Sequence, residues 1–275
     1  MRESQLLSLP VKLIDNYQEY NRFANERKFN NQYYMVRHGQ SEANINNLLC
    51  NHLSSPSKLT EQGICQAKEV AEKLADLLSA RKKICLFSSP LTRAVQTAEH
   101  ISKRLGVEYQ VNTELRERCY GNWENTKITP EKIKAVSAHD IENPLHNFEN
   151  IESLMEVTKR ITTWITDFDS MHAGYSVIIV SHFNVIGMAI NAIERVWPGR
   201  ELLISHAAVY PLRTQSRYHV NYLECEKPNV SVTQLGVFSK SYYRSVDSVD
   251  SVDRDMGFST INAPLAQRRF LQSQL

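Results

Sequence analysis

The stretch Ser176-Val177-Ile178-Ile179-Val180 is the most strand-like run in the chain, and it stops on Ser181-His182. An apolar run without polar alternation suits a strand buried on both faces. Two runs of the same kind precede it. Tyr33-Tyr34-Met35-Val36 ends at Arg37-His38-Gly39, and Ile84-Cys85-Leu86-Phe87 ends at Ser88-Ser89-Pro90.

Helical stripes lie between these runs. Thr60 is placed to N-cap a helix whose apolar face is Ile64, Ala67, Ala71, Leu74 and Leu78. Ala94, Ala98, Ile101 and Leu105 mark a second helix, and Val107 to Val111 reads as a further strand. A weaker helix is expected from Thr129 to about Ala138, then a longer one carrying Ile151, Leu154, Val157, Ile161, Ile165 and Phe168. Repeated strand–helix units predict an α/β three-layer sandwich, a mostly parallel central sheet with helices on both faces. Such sheets bind ligands beyond the carboxyl ends of their strands. Arg-His-Gly, Ser-Ser-Pro and Ser-His all fall there.

The flanks are less structured in pattern. Residues 1–30 carry Leu13, Tyr17, Tyr20 and Phe23 roughly on one helical face, which reads as an extension packed on the main domain of residues 31–238. Residues 207–212, 218–224 and 230–238 each look strand-like, with no assignment to the main sheet. The polar segment 239–275 repeats Ser-Val-Asp three times in succession at 245–253. That period fits neither helix nor strand, so the expectation is a disordered tail.

Composition narrows the function classes. A chain of 275 residues with net charge +2 suits one large domain and gives no electrostatic reason to expect nucleic acid or an anionic membrane as partner. Five scattered cysteines without a Cys-x-x-Cys pair read as reduced thiols, with neither a disulfide framework nor a zinc site. Met1 to Pro10 lacks the apolar run of a signal peptide, and no apolar stretch approaches a membrane span. The expectation is a soluble cytoplasmic protein whose oligomeric state is open. No Gly-x-x-x-x-Gly-Lys loop and no His-Glu-x-x-His pair occurs, so neither a cofactor nor a metal is expected. No cysteine is followed six residues later by arginine, and Asp167-Phe168-Asp169 falls in a helical pattern, which disfavours cysteine- and aspartate-nucleophile phosphatases.

The strand ends carry residues suited to phosphoryl chemistry. Arginines make bidentate contacts to phosphoryl oxygens. A neutral imidazole can attack phosphorus, and nearby cations keep it deprotonated. The leaving oxygen needs an acid. Arg37 and His38 follow one strand, Arg93 a second and His182 a third, with the carboxylate-bearing segment Glu114-Leu115-Arg116-Glu117-Arg118 between them.

In order, these pieces resemble the histidine phosphatase superfamily, which includes the phosphoglycerate mutases. The resemblance rests on Val36-Arg37-His38-Gly39-Gln40-Ser41-Glu42-Ala43-Asn44, Leu59-Thr60-Glu61-Gln62-Gly63 with Gln66-Ala67, and Ser88-Ser89-Pro90-Leu91-Thr92-Arg93-Ala94-Val95-Gln96-Thr97-Ala98. Leu115 to Glu124 is similar to the acid-bearing segment and Val180-Ser181-His182 to the second histidine; the match runs from about residue 33 to 195. It implies a phosphoglycerate mutase-like fold and phosphomonoester hydrolysis through a phosphohistidine on His38. Arg37, Arg93 and His182 are then the phosphoryl-binding catalytic groups, with Asn44 adding a neutral hydrogen bond. Glu117 is the general acid/base, a task that favours a raised carboxyl pKa. Tyr120 and Asn184 are candidate substrate contacts. Glu114 and Glu124 are expected to be salt-bridge or surface groups, and His206 a surface or core residue without a role in the site.

Two positions depart from the family pattern, Phe183 and Asn125, where glycine is usual. A large ring beside His182 is expected to narrow the pocket or shift the backbone. About 28 residues separate Glu124 from Ser153 without an adjacent arginine pair. The family's mutases carry a long basic insertion there, so hydrolysis is favoured over a phosphoglycerate mutase-type transfer. A non-catalytic phosphate-binding scaffold is the reading from another class. The expected substrate is a small phosphorylated ester, with a phosphopeptide as the alternative.

Overall fold

The three apolar runs are neighbouring parallel strands in the computed structural model, which describes residues 29–54, 56–193, 202 and 204–212. They are β1 (Gln32–Arg37), β2 (Ile84–Ser88) and β4 (Ser176–Ser181); β3 (Tyr109–Val111) and β5 (Val209–Leu212) complete the sheet. Its order is β3-β2-β4-β1-β5, parallel throughout except for β5, which runs antiparallel to β1. Register pairs Arg37 with Ser181 and Ser88 with Val180, so the three strands end level.

Alternation along each strand divides the core. Tyr33, Met35, Phe87, Val177 and Ile179 pack on one face against α5 (Leu154–Met171) and α6 (Phe183–Ile193). Tyr34, Val36, Leu86, Ile178 and Val180 pack on the other against α2 (Glu61–Leu77) and α3 (Thr92–Leu105). Both faces of the sheet are therefore covered, which is why these strands lack polar alternation. A four-residue turn of helix, α1 (Glu42–Ile45), follows β1, and α4 (Pro130–Glu142) lies in the excursion between β3 and α5.

Helix ends follow capping chemistry. Thr60 accepts a hydrogen bond from Gly63 N at 3.0 Å and starts α2 as expected. Thr129 caps α4 with Pro130 in its first turn, and the helix outruns the expected Ala138 to reach Glu142. α5 starts at Leu154 rather than Ile151, because Ser153 and Glu156 form a reciprocal capping box. Ile151 is buried ahead of the helix in an isolated bridge to Phe148. In α2, Ile64 sits at the edge of the stripe and Val70 takes a fully buried place. β3 is shorter than the expected Val107 to Val111.

Asp169, in the last turn of α5, accepts hydrogen bonds from Asn30 N, Asn31 N, Asn31 Nδ2 and Tyr33 Oη at 3.0–3.2 Å. This buried carboxylate anchors the entry to β1 and is structural, in keeping with its helical setting. Of the strand-like segments near the C-terminal side, 207–212 supplies β5, while 218–224 and 230–238 lie outside the described residues. So do the proposed helical face of the N-terminal extension and the tail 239–275. No helix among the described residues is long and apolar enough to cross a membrane.

The loop after β1 is wedged against the start of α2 with no room for a side chain. A Cβ on Gly39 would lie 2.4 Å from Gly63 O, and one on Gly63 would lie 2.0 Å from Gln40 O. These overlaps are with backbone, which cannot rotate away. Gly63→Ala is expected to destabilise the protein by about 3 kcal/mol in urea unfolding. Gly106→Ala, where φ is +67° but space is open, is expected to cost about 1 kcal/mol.

Candidate active site

The ladder of the central strands continues into the loops that leave them. His38 N donates to Ser181 O at 3.1 Å and Ser89 N donates to Val180 O at 2.9 Å. Backbone pairing alone thus gathers the ends of β1, β2 and β4. His38, Ser89, Arg93 and His182 then meet in one buried pocket.

His38 is only 3% exposed. Its Nδ1 lies 2.7 Å from Gly39 O, a carbonyl that can only accept, so Nδ1 carries the proton. Nε2 is left as the lone-pair nitrogen and accepts from Arg93 Nε at 3.1 Å. Burial, first of all, and then the charge of Arg93 and the nearby His182 and Arg37 hold the imidazole pKa well below 6.5. His38 is a neutral base with its lone pair fixed in direction.

Arg93, at the start of α3, donates Nη1 to Cys50 O at 2.7 Å and Nη2 to Asn51 Oδ1 at 2.8 Å, and has no carboxylate partner in contact among the described residues. Arg37 donates Nη1 to Ile204 O, while its Nε has no partner among the described residues. Burial lowers the Arg37 guanidinium to about 10, against the opposing charge of Glu117, and it stays cationic at neutral pH.

His182 is the N-cap of α6 and fully buried, its ring centroid 5.0 Å from that of His38. Its Nε2 lies 2.7 Å from Ser89 Oγ, and that oxygen already accepts from Leu91 N at 3.3 Å. Ser89 Oγ has no other acceptor among the described residues, so its own proton goes to Nε2, which places the ring proton on Nδ1. Nδ1 is buried and without a partner among the described residues. Burial together with Arg93 and Arg37 lowers this imidazole well below 6.5 too. Buried donors normally find acceptors. Arg37 Nε and His182 Nδ1 are two that lack one, which is what an anion site looks like before it binds.

Glu117 is buried, and its Oε1 accepts from Arg118 N at 2.9 Å and from Asn184 N, in the first turn of α6, at 3.3 Å. Asn184 Nδ2 donates to Tyr120 Oη at 3.1 Å, and burial raises that phenol to about 12, so it stays protonated. Asn44 accepts at Oδ1 from Ser41 N at 2.9 Å. The charge of Glu117 reaches Arg37 and Arg93, and Asn44 reaches His38 through His206, so the eight residues expected at the site lie in one neighbourhood.

Several assignments need correction. Glu124 is no ion-pair partner or loose surface group: its two oxygens accept from Asn51 N at 2.9 Å and Tyr120 N at 2.8 Å, tying the Arg93-binding loop to the acid segment. His206 belongs in the site, its ring 5.7 Å from that of His38 and its Nε2 3.1 Å from Asn44 Oδ1. Nothing in the local pattern around residue 206 points there; only the return of β5 beside β1 brings it in. Phe183 opens α6 and lies 5.4 Å from the Arg37 guanidinium carbon, under its face. Asn125 has φ +60°, which accounts for glycine being usual at that position.

Behind the acid segment, Arg118 is 2% exposed and forms a bidentate pair with Asp140 of α4 at 2.6 and 2.7 Å, with Nε donating to Glu152 O at 2.6 Å. Arg118 N is also a donor to Glu117, so this pair fixes the backbone that holds the acid.

Two imidazoles, two guanidiniums and a buried carboxylate thus surround a pair of donors that have no partner among the described residues. The chain belongs to the histidine phosphatase superfamily: residues 33–222 match the profile described as "Histidine phosphatase superfamily (branch 1)". The adenosylcobalamin/alpha-ribazole phosphatase of Salmonella typhimurium is 31% identical over 162 residues, 57% of this chain and 76% of that protein. The glucosyl-3-phosphoglycerate phosphatase of Mycobacterium tuberculosis is 36% identical over 90 residues, 33% of this chain and 38% of that one. Among solved structures, Bacillus stearothermophilus YhfR has the same fold, with a TM-score of 0.59 at 20% identity over 70% of this chain and 96% of its own.

Two predictions follow from the buried charges. Asp140 faces Arg118 across a pair nearly closed to water, so Arg118→Met leaves a bare buried carboxylate and should cost about 3–5 kcal/mol in urea unfolding. Pairing it with Asp140→Leu should recover most of that loss. His38, His182 and His206 all have pKa values well below 6.5 when folded and near 6.5 when unfolded, so the unfolded state takes up their protons first. Their stability contribution is intact above pH 6.5 and is lost progressively as pH falls below it. Denaturation at pH 7.5 and about pH 5.5, with each histidine replaced in turn by glutamine, should show part of that pH dependence vanish each time.

Proposed function

We propose that this chain hydrolyses phosphomonoesters through a phosphohistidine on His38, with Glu117 as general acid and then general base. Superfamily membership and phosphatase relatives support ester hydrolysis as the activity. The observation that carries the mechanism is the neutral His38 with its Nε2 lone pair set among Arg37, Arg93 and His182. Substrate phosphate takes the place of the Arg93–His38 contact and pairs with Arg37 Nε and His182 Nδ1. His38 Nε2 attacks phosphorus as the ester P–O bond breaks, and Glu117 gives its proton to the leaving alcohol. Water then attacks the phosphohistidine, Glu117 takes a proton from it, and inorganic phosphate and free His38 result. The guanidiniums offset charge on the equatorial oxygens throughout.

Tyr120 and Asn184, linked to each other and to Glu117, are placed to meet the leaving group in this reading. The two named relatives act on chemically unlike esters, so the substrate is proposed only as a small phosphorylated molecule, in a cytoplasmic setting that suits the thiols of Cys65, Cys85 and Cys119. The domain division proposed is a catalytic unit within 31–238, flanked by an N-terminal extension and a polar tail.

Turnover of an aryl phosphate tests the mechanism. His38→Ala should abolish it, and equal turnover by the two proteins overturns the proposal in favour of a phosphate-binding scaffold. Glu117→Gln should slow the phosphorylation step with alkyl phosphates by about 10²- to 10⁴-fold while sparing the p-nitrophenol burst from p-nitrophenyl phosphate, whose leaving group needs little protonation; hydrolysis of the phosphohistidine should slow for both.

A further inference from the structure

We infer that His206 is a positioning residue of the phosphoryl site, acting through Asn44. This rests on the reading of the pocket as a phosphoryl site and adds to it a member that the acid, nucleophile and guanidinium set does not include.

The geometry of Asn44 carries the inference. Ser41 N donates to Asn44 Oδ1 at 2.9 Å, and a backbone amide can only donate, so the amide of Asn44 is oriented with its oxygen toward Ser41. Ser41 Oγ is a second donor to that oxygen at 2.8 Å. His206 Nε2 is a third contact at 3.1 Å, and since Oδ1 only accepts, Nε2 carries the proton. With its oxygen saturated on one side, Asn44 keeps both Nδ2 protons for another acceptor. No donation by Nδ2 occurs among the described residues, and a phosphoryl oxygen is an acceptor of the right kind.

His206 is held for this task by its own backbone. Ala207 N donates to Arg37 O at 2.9 Å, clipping the loop to the end of β1 beside the nucleophile. Ala207 takes φ +50°, a left-handed conformation that a residue with a Cβ adopts at a cost. The strain sits directly after His206 and turns the chain so that the ring lies beside His38 while β5 starts at Val209. Arg37 and Arg93 both disfavour a charge on this imidazole, and burial does so more, which keeps the ring a neutral donor of one proton.

The test reads binding and turnover separately. Inorganic phosphate is titrated calorimetrically into the full chain, its His206→Leu, His206→Gln and Asn44→Ala variants and the Asn44→Ala/His206→Leu double variant; kcat and KM for an aryl phosphate are measured alongside. Gln can place an amide N–H close to the imidazole Nε2, whereas Leu keeps bulk without a donor. Expected is about a tenfold loss of phosphate affinity in His206→Leu, recovery to within about threefold of the parent in His206→Gln, and little further loss when His206→Leu is added to Asn44→Ala. Multiplicative losses in the double variant, an unchanged His206→Leu, or a Gln variant no better than Leu would overturn it. If His206→Leu fails to fold, the comparison of the parent with His206→Gln still decides, because loss of affinity in a folded Gln variant counts against donation at this position. A parent that binds phosphate with this coupling but turns nothing over would refute the catalytic reading and leave the positioning role standing.

Discussion

Like charges crowded into a dry pocket are the constraint on which this structure turns. Arg93 is buried and Arg37 half-buried beside the same pair of histidines, and neither has a carboxylate in contact among the described residues. A guanidinium holds its proton far more tightly than an imidazole. Repulsion is therefore relieved at the imidazoles, which lose theirs. Burial first, and then these cations, keep His38 neutral at a pH where a free histidine is partly protonated. When ionised, Glu117 favours the protonated state of both arginines, and Glu124 does so for Arg93.

Such an arrangement persists only if the backbone cannot relax away from it. The strands end level, and their ladder runs on to His38 and Ser89. Carbonyl oxygens of Cys50 and Ile204 accept from the arginines, so partial charges replace full ones. The Gly39–Gly63 contact locks the loop behind His38 to α2, and the Arg118–Asp140 pair locks the acid segment to α4. In each case the bracing element lies one layer behind the pocket, on regular structure, and the residues facing the anion are left with free donors.

What could be read from the chain alone divides along the same line. Strands and helices announce themselves through local periodicity, so β1, β2, β4, α2, α3 and α5 were legible, as was the meeting of His38, Arg93 and His182 at strand ends. Ser153 and Glu156 show that a helix start can be legible and still be misplaced, since the capping pair lies in the sequence while apolar Ile151 extends the stripe beyond it. The contacts of His206 and Glu124 were not legible. His206 reaches Asn44 across 162 positions and Glu124 reaches Asn51 across 73, and neither residue type signals such a partner. Ser89 is intermediate: its place after β2 was evident, but its role in setting the His182 proton needs the distance between two loops.

The two departures from the family pattern are explained by the same distinction between conformation and space. At Asn125 the requirement is for a left-handed backbone, and asparagine is among the few residues with a Cβ that tolerate it; its N–H still donates to Leu49 O at 2.6 Å. At 183 the backbone is already helical, so no such requirement exists. The Phe183 ring is half-buried against the core cluster of α5 and α6 and faces the Arg37 guanidinium. A ring there adds a cation–π contact to a cation that has no carboxylate partner in contact among the described residues. Phe183 thus stabilises the Arg37 charge from one face of the guanidinium, while Arg37 Nε and His182 Nδ1 remain without a partner among the described residues.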